Sequence, residues 1–149
     1  MKIAHANVRS MNTSFGLIEN TIINEKIDVF GLTEIWHPSV SMQESLKRRW
    51  TWISTQRDNK RGGGAALIIS KGTKTMERKD LYNKKVEAVW CNLYGENFKC
   101  VVGSVYIPPN DSEMMKIFLS TVEKVAAEDV PLILIGDFNA HHKYWGGCK

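Results

Sequence analysis

The stretch LILIGDFN, residues 132–139, follows Pro131 and decides the fold class. Its first four residues are a continuous apolar run, which is typical of a strand buried on both faces of an α/β sheet. The run delivers Asp137 and Asn139 at the carboxyl end of this strand. Binding and catalytic residues gather at that end of the strands in α/β sheets. The stretch therefore predicts an α/β protein with a site around Asp137.

Apolar segments alternate with polar loops along the rest of the chain, without a repeat or a low-complexity linker. Further strands rich in Val, Ile and aromatic residues are predicted at residues 3–8, 27–32, 65–70, 88–94 and 100–107. The last three follow one another so closely that antiparallel pairing is expected.

Two helices are predicted between these strands. The first follows an N-cap at Thr13 or Ser14 and ends near Lys26. The second follows an N-cap at Asp111 or Ser112 and has the clearest apolar stripe in the chain, formed by Met115, Phe118, Leu119, Val122, Val125 and Ala126. The pattern is that of a sheet covered by helices.

The charges are distributed unevenly around a net charge of +4. The segment from Lys47 to Lys85 contains twelve Lys or Arg and three Asp or Glu, whereas acids outnumber bases in the remainder. A basic middle and an acidic remainder indicate a polyanion partner and a metal site on one molecule. Taken alone, the charge favours a plainer interpretation, in which Lys-rich loops keep the surface soluble.

The three cysteines, Cys91, Cys100 and Cys148, form no CxxC pair, and their odd number leaves one unpaired in any disulfide scheme. A reducing compartment is therefore expected. The N-terminus does not resemble a signal peptide, and no run approaches the roughly 18 apolar residues of a membrane span. We expect one soluble, intracellular domain over residues 1–149, without a membrane partner or a small-molecule cofactor, and the sequence leaves the oligomeric state open.

Polar residues also follow or end other predicted strands. Asn7 lies near the end of the first predicted strand, Glu34 follows the second, and Tyr106 lies in the strand before Pro108. Oxygen ligands of these kinds suit magnesium and a phosphate. Each residue alone has a commoner interpretation: a turn Asn, a solvated Glu, an Asx turn at Asp137 and Asn139, and an ordinary strand aromatic.

The order of these residues resembles the endonuclease/exonuclease/phosphatase superfamily, which includes exonuclease III-like repair enzymes and deoxyribonuclease I. That family has an Asn motif, a Glu, a strand Tyr and an Asp-x-Asn motif in the same order. The amino-acid sequences of the individual motifs are similar to those of the endonuclease domain of non-LTR retrotransposons. These motifs are NVRS at residues 7–10, GGGAA at 62–66, EAVW at 87–90, GDFNAHH at 136–142 and the following Trp145-Gly146. The resemblance implies part of a four-layer α/β sandwich of the deoxyribonuclease I kind.

The resemblance also implies a reaction: hydrolysis of a DNA phosphodiester that leaves a 3′-hydroxyl to prime reverse transcription, in the nucleus when the domain is part of a full element. Asn7 and Glu34 are expected to hold Mg²⁺, with Mn²⁺ as the alternative. Asp137 would orient or deprotonate water, Asn139 would position the water or the phosphate, and Tyr106 would hydrogen-bond the phosphate.

DNA is the expected partner, and its phosphates are expected to meet basic residues of the middle segment and two histidines, namely Arg48, Arg49, Arg57, Lys60, Arg61, His141 and His142. A zinc site at His141-His142 with Cys148 lacks the second ligand pair that zinc sites normally show. The glycines Gly62 to Gly64 lack the Lys-Ser/Thr of a P-loop, and a tight turn before a strand explains them better.

Two departures from the family pattern stand out. Arg9 stands where the repair enzymes usually place an acid, and no His lies in the late Ser-Asp-His motif that takes part in their catalysis. We therefore expect a domain truncated at its C-terminus, with C-terminal strands missing, that nicks DNA little or not at all unless extended. The alternatives are a non-catalytic remnant that at most binds DNA, and a phosphatase acting on a phospholipid or inositol phosphate.

Overall fold

The computed structural model describes residues 1–57 and 62–139, in which two four-stranded sheets are combined with three α-helices and one 3₁₀ turn. The elements in chain order are β1 (Ile3–Asn7), α1 (Met11–Glu25), β2 (Val29–Thr33), α2 (Val40–Arg49), β3 (Trp50–Thr55), β4 (Ala65–Ser70), β5 (Lys74–Glu77), the 3₁₀ turn (Lys79–Leu81), β6 (Glu87–Tyr94), β7 (Lys99–Tyr106), α3 (Ser112–Ala126) and β8 (Leu132–Asp137).

Each sheet combines one parallel pair of strands with antiparallel neighbours. The first sheet has the order β1-β2-β4-β3, in which β1 and β2 are parallel and β4 is antiparallel to both of its neighbours. The second has the order β5-β6-β7-β8, with β7 and β8 parallel. The two strands of each parallel pair, β1–β2 and β7–β8, are joined by a crossover that contains a helix, as parallel strands require.

Three apolar clusters show that the protein has four layers. Between the sheets, Val29 and Ile69 of the first meet Val89 and Val102 of the second. Helices α1 and α2 cover the outer face of the first sheet. Helix α3 covers the outer face of the second sheet, where Phe118 stacks on Trp90 at a centroid distance of 6.0 Å. The predicted four-layer α/β sandwich is thus confirmed.

The pleat of the strands selects which polar residues reach the space between the sheets. Side chains alternate along a strand, so Glu87 and Tyr106 share the inner face with Val89 and Val102. Tyr106 is the register partner of Glu87 on one side and of Asp137 on the other. These three residues form a row at one end of the inner face, and this end is the rim of the site described below.

Helix α1 begins earlier than its sequence predicts. Its N-cap is Ser10, and Thr13 and Ser14 lie inside the first turn. Their hydroxyls donate to backbone carbonyls, Thr13 to Ser10 at 3.1 Å and Ser14 to Val8 at 2.9 Å. The predicted N-cap at Thr13 or Ser14 is wrong. Both hydroxyls donate to backbone carbonyls that precede the helix, and neither caps the free N–H groups of its first turn. The second helix was placed correctly, since Asp111 is the N-cap of α3.

Three elements were missed, namely α2, β3 and β5. Helix α2 buries one residue, Leu46, and β5 is mostly exposed, so neither shows an apolar stripe in the sequence. The expected antiparallel pairing is confirmed for β6 and β7. Strand β4, however, pairs with β2 and β3 in the other sheet. Proximity along the chain did not reveal that the chain changes sheets after β4.

Strand β8 differs from its prediction in burial. All six of its residues are half-buried, although the apolar run predicts burial on both faces. Within the described residues, β8 is the edge of the second sheet and pairs with β7 alone. In the same part of the chain, every helix is too short or too polar to cross a membrane.

Candidate active site

Side chains at the carboxyl ends of β1, β2 and β8 meet at the rim between the sheets. The amide Nδ2 of Asn7 donates to Glu34 Oε1 at 3.0 Å and to Asp137 Oδ2 at 3.0 Å. Residues separated by 130 positions in the chain are thereby joined by one side chain. The convergence of Asn7, Glu34 and Asp137 that the sequence predicts is confirmed. One amide holds two carboxylates side by side.

The loops after β1 and β2 are locked to each other by the backbone. Val8 N–H donates to Thr33 O at 2.9 Å, and Ser10 N–H donates to Glu34 O at 2.9 Å. Glu34 has a φ of 53°, in the left-handed region that costs free energy for a residue other than glycine. The residue after β2 would otherwise continue the alternation toward the helix layer. The left-handed backbone accompanies a side chain that contacts Asn7 at the rim.

The end of β8 is held by a second set of contacts. Asn139 Nδ2 donates to Ile107 O at 2.9 Å, and Asn139 N–H donates to Asp137 Oδ1 at 3.3 Å. A Cβ at Gly136 would collide with the carbonyl of Val105, so only glycine allows this close approach of β8 to β7. The side-chain nitrogen of Asn139 therefore fastens the strand end, and its side-chain oxygen can accept a hydrogen bond from water.

Tyr106 lies in the rim row beside Asp137, with 8% of its surface exposed. Burial raises the pKa of its phenol, and the nearby negative charge of Glu34 raises it further against the opposing effect of Arg57. The hydroxyl therefore stays protonated through the neutral range and can donate a hydrogen bond. This is the form that a phosphate oxygen requires as a partner.

A buried ion pair extends the rim row on the other side of Tyr106. Glu87 is 7% exposed, and its carboxylate accepts hydrogen bonds from Arg57 Nε and from the backbone N–H of Gly64. The guanidinium of Arg57 lies 5.7 Å from the centroid of the Tyr106 ring. A Cβ at Gly63 would collide with the carboxylate and lie 2.6 Å from Arg57 Nε. The glycine run is thus a tight turn that accommodates this pair.

Glu87 was not among the predicted site residues. A Glu that opens an otherwise apolar strand, as in EAVW at residues 87–90, is the signal that could have identified it. Buried carboxylates are uncommon unless they are paired. The strand pattern alone did not show which cation approaches Glu87.

His5 also faces the rim, two residues before Asn7 on β1. Its Nε2 lies 3.2 Å from Thr33 Oγ1. Burial of the ring lowers the pKa of His5, and the negative charge of Asp137 opposes this effect. The imidazole is therefore mostly neutral near pH 7, a state in which one ring nitrogen can accept a proton.

The rim carries a small set of oxygen donors that suits a divalent cation. Within residues 1–57 and 62–139, no three His, Cys, Asp or Glu side chains are grouped as a metal site. Glu34 and Asp137 supply two carboxylates, and Asn7 supplies an amide oxygen, Oδ1, which accepts from Arg9 N–H at 3.3 Å. Mg²⁺ keeps several waters and commonly binds through one or two carboxylates. These residues therefore fit Mg²⁺ better than a cation that needs a full set of protein ligands.

The predicted DNA-binding residues are not brought together. Arg57 lies at the rim, whereas Arg48 and Arg49 end α2 beside Trp50, which pairs with Ser70 at the opposite end of the first sheet. The five residue steps of β3 separate the two ends by roughly 17 Å. Arg49 is also paired with Glu19 and stacked 4.5 Å from the Trp50 ring centroid. The remaining predicted residues, Lys60, Arg61, His141 and His142, lie outside the described residues, as does Cys148.

A sequence model of the endonuclease/exonuclease/phosphatase family matches residues 4–149. No curated protein matches the sequence. Among solved structures, the endonuclease domain of TRAS1, a telomere-specific non-LTR retrotransposon, is similar with a TM-score of 0.75 and 16% identity, over 95% of this chain and 62% of that one.

Two further solved structures are similar in fold. The human Nocturnin catalytic domain, solved with a sulfate anion, gives a TM-score of 0.67 at 15% identity, over 91% of this chain and 62% of that one. ANGEL2, a 2′,3′-cyclic phosphatase, gives 0.68 at 15% identity, over 95% and 53%. This chain thus spans about three fifths of the first two structures and about half of the third. At these identities the likeness concerns the fold.

Proposed function

Because this chain belongs to the endonuclease/exonuclease/phosphatase family, we propose that its rim site contributes to metal-dependent hydrolysis of a DNA phosphodiester, as in a retrotransposon nicking endonuclease. The observation that carries the proposal is the contact of Asn7 with both Glu34 and Asp137. An amide that holds two carboxylates at an open rim creates a place where negative charge is concentrated and a cation is favoured. A purely structural turn would not need two acids there.

Glu34 and Asp137, with the amide oxygen of Asn7, would hold Mg²⁺, or Mn²⁺ in its place. A divalent cation bound there would neutralise charge on the phosphate oxygens during hydrolysis. Asn7 keeps both carboxylates in position through its two hydrogen bonds. Preorganised charge of this kind is usually the largest single contribution to catalysis.

The remaining rim residues would act on the water and the phosphate. Asp137 can accept a proton from the attacking water through one of its two carboxylate oxygens. Tyr106 donates its hydroxyl to a phosphate oxygen, since its raised pKa keeps it protonated. Asn139 supports Asp137 by fastening the end of β8. Asp137 lies close enough to His5 for its negative charge to oppose the lowering of the His5 pKa by burial.

The sequence motifs, above all GDFNAHH at residues 136–142, favour DNA over a lipid headgroup as the substrate. The similarity in fold to the TRAS1 endonuclease domain is compatible with that choice. A nuclear location would follow from a chromosomal substrate. The family's late Ser-Asp-His motif has no counterpart in the sequence, so residues acting as one catalytic unit are incomplete and the rate of this chain alone is expected to be low.

The test is nicking of supercoiled plasmid in Mg²⁺ by this chain, by a longer protein in which residues 1–149 are followed by a segment carrying a Ser-Asp-His motif, and by the longer protein with Asp137→Asn. We expect the longer protein to nick, and Asp137→Asn to lower its rate by about 100-fold or more. Exposed Asp129→Asn is the matched control and should leave the rate unchanged. Equal nicking with and without Asp137, or no metal-dependent nicking by the longer protein, would contradict the proposal.

A further inference from the structure

A cleft of about 680 Å³ opens beside the rim, between the end of β3, the start of β6 and the beginning of α3. Glu87 and Arg57 form part of its wall. Glu87 and Asp137 are the two register partners of Tyr106, so the cleft begins about two strand spacings, roughly 10 Å, from Asp137. A group bound in the cleft would therefore lie next to a phosphate held at the rim.

One wall of the cleft carries a preorganised hydrogen-bond donor. The carboxylate of Glu87 accepts from Arg57 Nε, and the guanidinium lies over the Tyr106 ring. Both Nη groups of Arg57 are without a hydrogen-bond partner among residues 1–57 and 62–139. A guanidinium held at its Nε can present its Nη groups to two oxygens of a phosphate at little entropic cost.

Glu87 holds Arg57 at its Nε, and Asp111, the other acid that lines the cleft, is engaged elsewhere. Asp111 accepts from Met114 N–H at 2.8 Å as the N-cap of α3. Lys85 pairs with Glu113 at 2.9 Å. Exposed Lys84 lines the cleft and has no ion-pair partner in the part of the chain that the structure describes. An anion in the cleft thus meets Arg57 and Lys84.

Apolar lining comes from Val86, Pro108 and Met114, and Thr55 and Gln56 add uncharged polar groups at the end of β3. The volume lies within the range of roughly 300–1,000 Å³ that accommodates small organic ligands. A cleft that offers phosphate donors on one wall and apolar side chains nearby suits a nucleotide, which has a phosphate and a largely apolar sugar and base face. A free inorganic phosphate would leave the apolar lining uncovered.

We propose that this cleft binds the nucleotide adjacent to the scissile phosphodiester of a DNA strand. Arg57 donates to the phosphate of that nucleotide, Lys84 adds charge at the cleft, and Glu87 is a positioning residue that fixes Arg57. The proposal rests on the proposed function, since it places the scissile phosphate at the rim. It assigns the site to a polymeric substrate.

The experiment measures binding alone, so its outcome does not depend on whether any version of the protein cleaves DNA. The probe is a fluorescently labelled single-stranded DNA oligonucleotide, titrated with the 149-residue chain in Ca²⁺ at several salt concentrations. The variants are Arg57→Gln, Arg57→Lys, Glu87→Gln and Lys84→Gln. The matched control is Lys124→Gln, which removes an exposed cation in the last turn of α3, at the end of the helix away from the cleft.

We expect Arg57→Gln to weaken binding about tenfold or more and to lower the salt slope by about 0.7, since it removes one phosphate contact. Arg57→Lys keeps the charge but loses the planar fork, and should restore only part of the affinity. Lys124→Gln should bind within twofold of the unmodified chain. Lys84→Gln changes an exposed residue, should fold normally and should weaken binding by two- to threefold.

Glu87→Gln separates positioning from simple electrostatics. Removing a negative charge beside a phosphate site would strengthen binding if only charge mattered, whereas loss of the pair that fixes Arg57 should weaken it. The proposal is overturned if Arg57→Gln and Lys84→Gln bind like Lys124→Gln, or if Arg57→Lys or Glu87→Gln binds as tightly as the unmodified chain or more tightly. Capture by phosphatidylcholine vesicles containing phosphatidylinositol 4-phosphate, with no measurable oligonucleotide binding, would instead assign the cleft to a lipid headgroup.

Discussion

At the residue scale, Asn7 is the side chain on which the site geometry depends, because its one amide nitrogen contacts both Glu34 and Asp137. The like charges of the two carboxylates repel each other, and the amide offsets part of that repulsion by donating to both. An acid at the same position would bring a third negative charge to the rim and remove the donor.

We therefore predict that Asn7→Asp lowers the melting temperature when divalent cations are chelated, and that Mg²⁺ reverses the loss. An unfavourable interaction of about 1 kcal/mol corresponds to a shift of roughly 3 °C for a chain of this size. The control is Asn20→Asp on the exposed side of α1, which makes the same charge change away from the rim. A melting temperature for Asn7→Asp that does not respond to Mg²⁺ would count against a cation site at the rim.

At the element scale, Arg78 fastens the segment after β5 to the end of α3. Its side chain is 10% exposed and makes two hydrogen bonds to Glu128, at 2.9 and 2.6 Å, and others to Asp80. Arg78→Met should lower the free energy of unfolding by about 1 to 2 kcal/mol, because it removes the hydrogen bonds that join the partly exposed acids Asp80 and Glu128. Urea denaturation measures this change. Lys79→Met, at a side chain that is 79% exposed, should change stability by less than about 0.5 kcal/mol, and equal effects at both positions would refute the role of the Arg78 cluster.

Strand β6 places a thiol in the core between the sheets. Burial, together with smaller effects of Cys100 and Glu77, raises the pKa of Cys91 to about 12 from an ordinary value of 9.0. The folded protein therefore keeps this proton between pH 9 and about 12, where the unfolded chain loses it. Its contribution to stability is complete below pH 9 and falls as the pH rises through this interval.

The expected slope for Cys91 is up to about 1.4 kcal/mol per pH unit. Cys91→Ala should flatten the alkaline decline of the unfolding free energy, measured by urea denaturation on both sides of pH 9, even though it lowers stability at every pH by leaving a small cavity. Parallel curves for the two proteins would show that this thiol does not titrate as its burial requires.

At the scale of the whole molecule, the sequence predicted the α/β sandwich and the convergence of Asn7, Glu34 and Asp137. It did so because the ends of strands and the order of motifs can be recognised from short stretches of sequence. It did not predict the Arg57–Glu87 pair or the separation of Arg48 and Arg49 from the rim. Both depend on the pairing of β3 with β4 and on the change of sheet after β4, which are tertiary events. Helix α2 was missed for a related reason, since a helix with one buried residue leaves no stripe in the sequence.

The central claim is that the rim binds a divalent cation through Glu34 and Asp137. The most direct measurement is calorimetric titration of Mg²⁺ into the 149-residue chain and into Glu34→Gln, Asp137→Asn and exposed Glu96→Gln. We predict that the chain binds Mg²⁺, that Glu34→Gln and Asp137→Asn each weaken binding about tenfold or more, and that Glu96→Gln leaves it unchanged. Binding of equal strength in all four proteins, or no binding to the unmodified chain, would contradict the account.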